Sequence, residues 1–174
     1  MSHIVVNSQV GQFIIALDKD HAPITCAYFS DLVRKGALKQ SSIFRVVSES
    51  NQKANDPCPI HVVQMGPQNC LSGDRHPIRH EGTDLTGLSH KKWTVSAARI
   101  DYGELFGSFF ICLRDEPSLN HGGKRQPDGQ GFAAFGHVVA GFDAIERAYL
   151  SAEPDEWMKK EIPILSISLQ TSGE

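Results

Sequence analysis

The stretch Ile164-Leu165-Ser166-Ile167-Ser168-Leu169-Gln170 sets Leu165, Ile167 and Leu169 on one side and Ser166, Ser168 and Gln170 on the other. A period of two marks a strand with one face buried. Seven further segments are rich in β-branched or aromatic residues and bounded by Gly, Pro, Asn, Asp or Ser. They are 3–8, 11–17, 42–48, 61–65, 93–98, 109–113 and 132–138, with 164–170 the last of the set. Only two stretches carry a helical period. One opens with Pro23 at a tolerated first-turn position, gathers Ile24, Tyr28 and Leu32 with Phe29 and Val33, and ends near Gly36. The other, Phe142 to Tyr149, places Phe142, Ile145 and Tyr149 together, with Asp143 and Glu146 in its early turns where the helix dipole favours negative charge. Many strands and few helices predict a mainly β fold, an antiparallel barrel or sandwich, and a closed barrel best removes exposed edges.

The chain has 174 residues, with 17 basic and 20 acidic side chains giving a net charge of −3. Apolar residues make up 40% and charged residues 21%, enough to bury a core and too mixed for a disordered tail. No internal repeat or linker divides it, so residues 1–174 read as a single domain. The basic residues are scattered, and a mildly acidic chain lacks the broad positive field of a nucleic-acid binder. No apolar run approaches the ~20 residues that span a bilayer, and Met1 to Phe13 has no leader pattern. The expectations are no nucleic-acid partner, no membrane partner and a cytoplasmic location, or a periplasmic one if an export signal was omitted. Nothing demands a dimer, so a monomer is expected. Cys26, Cys58, Cys70 and Cys112 form no C-x-x-C pair, and reduced structural thiols are expected over a Cys58–Cys70 bridge.

Three constellations could carry chemistry. In Ile43-Phe44-Arg45-Val46-Val47 a permanent charge interrupts an apolar strand, costly unless it is paired or drawn to a surface; simple alternation would put Ile43, Arg45 and Val47 on one face. In His61-Val62-Val63-Gln64-Met65-Gly66 a glutamine interrupts an apolar run just before a glycine. Gly107-Ser108-Phe109-Phe110-Ile111-Cys112 is joined, after a Gly-rich loop, by Gly131-Phe132-Ala133-Ala134-Phe135-Gly136. Segments 48–60, 66–92 and 114–131 have no period and suit a binding rim or disorder. Other motifs fail. Pro77 interrupts the His76–His80 spacing and no glutamate follows the first histidine. Gly122-Gly123-Lys124 lacks the remaining residues of a phosphate loop, and 115–122 lacks the alternating acids of a calcium loop.

Taken in order, these pieces resemble the cyclophilin family of peptidyl-prolyl cis–trans isomerases, in a divergent, bacterial-like form, over nearly the whole chain. The resemblance rests on Gly11-Gln12-Phe13, Ala22-Pro23, Phe44-Arg45-Val46-Val47, Val63-Gln64 with Gly66, Ser96-Ala97-Ala98-Arg99, Phe109-Phe110-Ile111-Cys112, and Phe135-Gly136 leading through Val138-Val139 to Gly141-Phe142-Asp143. It implies a closed eight-stranded antiparallel β-barrel capped by two helices, acting on proline-containing peptides and unfolded proteins. It implies that Arg45 is the catalytic residue and that Gln64 contacts the substrate backbone. Phe110 would floor the proline pocket, Val62 and Phe132 would complete it, and Ala98 and Arg99 would offer backbone contacts. No metal or cofactor is implied.

Physical chemistry agrees with those roles. Rotation about an X–Pro bond must break amide resonance worth ~18–20 kcal/mol, and the twisted bond gains a lone pair on the prolyl nitrogen. A guanidinium over that nitrogen in a partly dry site favours the twisted state. The alternative is a non-catalytic module that binds proline-containing segments as a chaperone or assembly factor; binding alone does not require the arginine. The chain departs from many relatives in the insert at 48–60, in His61 and Met65, in Phe132 where cyclosporin-binding relatives carry a pocket histidine, and in lacking a tryptophan within 120–131. Weak cyclosporin binding follows as an expectation, and a nanomolar inhibition constant in a competition assay would contradict it.

Overall fold

The computed structural model describes residues 1–171. In chain order its elements are β1 (Ser2–Ser8), β2 (Gly11–Leu17), α1 (Pro23–Arg34), β3 (Ser41–Val47), β4 (Val62–Pro67), β5 (His76–Pro77), α2 (Thr83–Thr86), β6 (Thr94–Ala97), β7 (Glu104–Leu105), β8 (Phe109–Cys112), β9 (Ala133–Ala140), α3 (Phe142–Leu150) and β10 (Trp157–Thr171). Eight strands close into an antiparallel barrel, as expected, and their order is β1-β10-β3-β4-β8-β6-β9-β2, while β5 and β7 form a separate two-stranded ribbon. No helix of the described residues is long and apolar enough to cross a membrane.

The barrel interior is filled by inward residues of every strand, among them Val6, Phe13, Ile43, Val46, Val63, Met65, Val95, Phe109, Ile111 and Phe135. Helix α1 lays Phe29 on Phe135, stacked at 4.5 Å and 6°, and edge-on to Phe109 at 5.6 Å. Helix α3 contributes Ala144, Ile145 and Ala148 to the same core. The four cysteines are free.

The structure corrects several sequence expectations. A third helix, α2, lies in the 66–92 segment; with four residues it is too short for a period to show. The last strand starts at Trp157 instead of 164, because β10 pairs β3 through its first half and β1 through its second. Lys159, Lys160 and Glu161 point outward in that first half and hide the strand signal. Leu165 is 68% exposed. The register with β1 jumps from Asn7↔Ser166 to Ser8↔Ile164, so Leu165 bulges out and Ile164 takes the inward place. In α1 the deepest side chains are Thr25, Cys26, Phe29 and Ser30, while Ile24 is exposed. The aromatic stack on Phe29 sets that rotation.

The long loops are pinned by buried polar groups. Ala22, at the N-cap of α1, has no side chain able to cap it, and Glu81 supplies the missing acceptor from the 66–92 loop. Its carboxylate accepts the Ile24 N–H at 3.0 Å, the Thr25 N–H at 2.8 Å and the Thr25 hydroxyl at 2.7 Å. Here an anion meets orphan donors at a positive helix end. His90, 1% exposed, accepts the Ser96 hydroxyl through Nε2 at 2.9 Å and donates from Nδ1 to Asn120 Oδ1 at 2.7 Å. That tautomer follows because an amide oxygen only accepts. His90 therefore ties the 66–92 loop to β6 and to the 114–131 segment.

Two predictions follow. Glu81→Ala, by orphaning the donors at the start of α1, is expected to lower unfolding free energy by about 2–3 kcal/mol in urea titrations; an unchanged midpoint would show that the cap is dispensable. Burial pushes the His90 pKa from 6.5 down to about 4. The unfolded chain then binds more protons across that window, so stability falls as pH drops from about 6.5 towards 4 and levels off below. At pH 5 the loss amounts to about 2 kcal/mol. His80 shifts in the same direction, so the test is a comparison: His90→Gln should show a shallower fall in urea midpoint between pH 7.5 and 5 than wild type, and parallel slopes would refute the assignment.

Candidate functional site

Backbone register brings the site together. Arg45 on β3 stands opposite Gln64 on β4, Gln64 opposite Phe110 on β8, and Phe110 opposite Ser96 on β6; on the other flank Trp157 of β10 stands opposite Arg45. Alternation sends Val63, Met65, Phe109 and Ile111 into the barrel and leaves Val62, Phe110 and Cys112 on its outer wall. There they pack with Phe44, Val47, Ile60, Ala98, Phe106, Leu119 and Phe132 in a second apolar cluster. A cavity of about 380 Å³ opens onto this wall. Arg45, Val62, Gln64, Ala98, Arg99, Phe110 and Phe132, the residues that the resemblance to a family assigned to the site, line it.

Arg45 reaches the cavity by breaking alternation. The β3–β4 register advances from Ile43↔Met65 to Arg45↔Gln64, leaving Phe44 as a bulge. Ile43 and Val46 then share the barrel interior while Phe44 and Val47 join the outer cluster. The expected face of Ile43, Arg45 and Val47 is therefore split, and the guanidinium is turned to the cleft. The 48–60 insert returns in register because Gln52 bridges its ends, donating to the Ile60 carbonyl at 2.8 Å and accepting the Ile60 N–H at 3.2 Å. Asn51 adds a bond to the Val46 carbonyl at 2.8 Å.

The polar groups form a directed chain. Arg45 Nη1 donates to Gln64 Oε1 at 3.0 Å, Gln64 Nε2 donates to Ser108 Oγ at 3.0 Å, and Ser108 Oγ donates to the Met65 carbonyl at 2.9 Å. This order fixes the glutamine amide with its oxygen towards the arginine. Gly66 permits it, since a Cβ there would lie 3.0 Å from Ser108 Cα. Arg45 Nη2 donates to Glu156 Oε1 at 3.1 Å, and its Cζ lies 4.7 Å from the Trp157 ring centroid. Arg45 Nε is buried without a partner. Burial pulls the guanidinium pKa down and Glu156 pulls it back; an arginine in this setting stays charged.

The floor and walls are apolar. Phe110 and Phe132 meet edge to face at 5.5 Å and 90°, and neutral His90 stacks behind Phe110 at 6.1 Å. The Ala98 N–H donates to the Ser108 carbonyl at 3.0 Å. Arg99 has a structural commitment: its Nη atoms grip Asp128 at 2.9 and 2.8 Å, its Nε donates to the Gly131 carbonyl at 2.9 Å, and its Cζ lies 5.5 Å from the Phe132 ring. Those bonds hold the Asp128 carboxyl below its ordinary value. His61 is engaged elsewhere, with Nδ1 on Glu116 Oε1 at 2.8 Å and Nε2 near Arg114.

Several site residues escaped the sequence reading. Glu156 and Trp157 lie in an aperiodic, charged stretch before the last recognised strand. Arg125 lines the cavity from the 114–131 loop, bound to the Cys58 carbonyl at 3.0 Å, and Leu119 packs under Phe132. Ser108 sat within a quoted motif, and only the geometry reveals what it holds. Among the described residues, no three His, Cys, Asp or Glu side chains converge to hold a metal.

The family model described as cyclophilin type peptidyl-prolyl cis-trans isomerase/CLD matches residues 3–169. The chain is 31% identical over 147 residues to the peptidyl-prolyl cis-trans isomerase cyp18 of Streptomyces antibioticus, covering 84% of this chain and 82% of that one. A crystal structure of a cyclophilin type peptidyl-prolyl cis-trans isomerase from Cryptosporidium parvum superposes with TM-score 0.76 at 16% identity over 99% of each chain. A structure of that protein in the presence of the dipeptide Ala-Pro gives 0.73 at 17% identity, covering 98% of this chain and 99% of that one; at such identities the likeness is one of fold. With a match from the opening strand to the last one, and a relative above 30% identity, the chain belongs to the cyclophilin family of peptidyl-prolyl cis–trans isomerases.

Proposed function

We propose that the cavity receives the proline ring of an extended peptide on Phe110, between Phe132 and Val62, and that Arg45 is the electrostatic catalyst of rotation about the preceding bond. The observation that carries this reading is the direct cross-strand opposition of Arg45, Gln64 and Phe110 on the wall of one cavity. In the planar amide the prolyl nitrogen lone pair is delocalised and accepts no hydrogen bond; in the twisted state it is localised and does. A guanidinium donor beside it therefore binds the transition state more strongly than either ground state. Each tenfold in rate corresponds to about 1.4 kcal/mol of that difference.

The remaining groups hold the two sides of the bond. An aromatic floor grips the pyrrolidine ring through apolar contact, and the segment before it turns. Gln64 carries no charge, aims Arg45 with its oxygen and keeps its amide hydrogens on the side of Ser108. Arg99, the more deeply buried arginine of the wall, has Nε and both Nη atoms committed to Gly131 and Asp128. That supports Arg45 as the active cation. Clients would be proline-containing segments of extended or unfolded chains, met by a monomer without nucleic acid or membrane.

The test is an NMR exchange measurement on a short X-Pro peptide. Arg45→Ala is expected to lower the catalysed rate by about 10²- to 10³-fold while peptide binding changes little. Equal accelerated rates in the two proteins would mean that another group, Arg99 the nearest, is the catalyst, and no acceleration by either would leave a binding module for proline-containing segments. Phe110→Ala is expected to weaken binding in the same titration.

A further inference from the structure

An arginine side chain carries about 2 kcal/mol of rotamer entropy, so a guanidinium that must stand over one nitrogen needs more than its own strand to aim it. Gln64 holds one Nη. The opposite side is held by a segment that enters β10 and is docked by backbone pairing: the Val46 N–H donates to the Glu156 carbonyl at 3.0 Å, and Trp157 lies opposite Arg45 in the ladder. From there the Glu156 carboxylate takes Arg45 Nη2 at 3.1 Å, and the Trp157 ring covers the guanidinium at 4.7 Å. That ring is itself fixed, parallel to Phe44 at 6.1 Å and 4°. Glu156 is not among the residues lining the cavity. It touches the reaction only through Arg45.

We propose that Glu156 is a positioning residue for Arg45, orienting the guanidinium against the Trp157 plate so that it faces the cleft before substrate arrives. The inference rests on Arg45 being the catalyst. The Arg45 and Glu156 side chains are 18% and 28% exposed, so the pair is partly wet and its attraction is modest; its value lies in direction. Its negative charge also subtracts from the field of the cation, so the acceptor oxygen, and not the charge, is what the site requires. A small error in donor placement is costly when the donor must meet a lone pair that exists only in the twisted state.

The experiment compares Glu156→Ala and Glu156→Gln with wild type and Arg45→Ala, using NMR exchange with an X-Pro peptide to separate turnover from affinity. Glu156→Ala is expected to lower the exchange rate of bound peptide by about tenfold with affinity unchanged. Glu156→Gln, which keeps an acceptor oxygen, should recover to within about threefold of wild type. The ¹⁵N signals of the two Arg45 Nη atoms, resolved while the group is held, should merge in Glu156→Ala and stay apart in Glu156→Gln. In an Arg45→Ala background, Glu156→Ala should add nothing, because a residue acting through another has no effect once that other is gone. Wild-type turnover in Glu156→Ala, no rescue by Gln, or a further loss in the double variant would each overturn the proposal. An Arg45→Ala protein as active as wild type would instead overturn the reading of the site on which it rests.

Discussion

A guanidinium held among apolar side chains is the constraint around which this molecule is arranged. Arg45 sits on the outer wall of the barrel, beside a cluster that includes Phe44, Val62 and Phe110, and a charge in such surroundings is costly unless its donors are used. The fold meets that demand at the two Nη atoms, with one partner from each neighbouring strand, Gln64 from β4 and Glu156 from the entry to β10, and leaves Nε without one. Each partner is anchored in turn, Gln64 through Ser108 and Glu156 through its backbone bond with Val46. The bulge at Phe44 makes the arrangement compatible with a packed barrel, because it turns Arg45 out while Ile43 and Val46 stay in.

The loops extend the same logic. They have little regular structure, and 66–92 and 114–131 are each tied by buried polar groups to the rest of the barrel. Glu81 fixes the 66–92 loop to the start of α1, and His90 fixes its end to β6 and Asn120 while backing Phe110. Arg99 clamps the 114–131 loop through Asp128 and Gly131. Long connections of this kind are normally the soft parts of a domain. Here two of the anchors, His90 behind Phe110 and Arg99 beside Phe132, lie against the wall of the cavity.

Most of the barrel was legible because inward-facing residues leave a period of two, and all eight strands overlap the segments that this period or β-rich composition marked, though the first half of β10 was missed. It failed where the backbone broke register. Leu165 and the face assigned to Ile43, Arg45 and Val47 were misread for one reason, a single extra residue that shifts the phase of a strand and leaves no local trace in composition. Candidate site residues were legible one at a time as anomalies: an arginine in an apolar strand, a glutamine before a glycine, paired phenylalanines. Their assembly was implied only by the resemblance to a family and not by the pattern itself, since opposition across β3, β4 and β8 is a property of pairing between distant segments. Glu156 and Trp157 were hidden further, in a charged stretch that becomes a strand only because β3 is there to pair with it.

Strand β10 joins β1, made first, to β3, which bears the arginine. During synthesis on a ribosome, the segment that seals the ring and flanks the cation is the last of the barrel to emerge. Until it does, the wall stands open on one edge and the guanidinium lacks half of its support. The wall beside the arginine is therefore complete only once β10 has docked on β3, however well the earlier strands have paired.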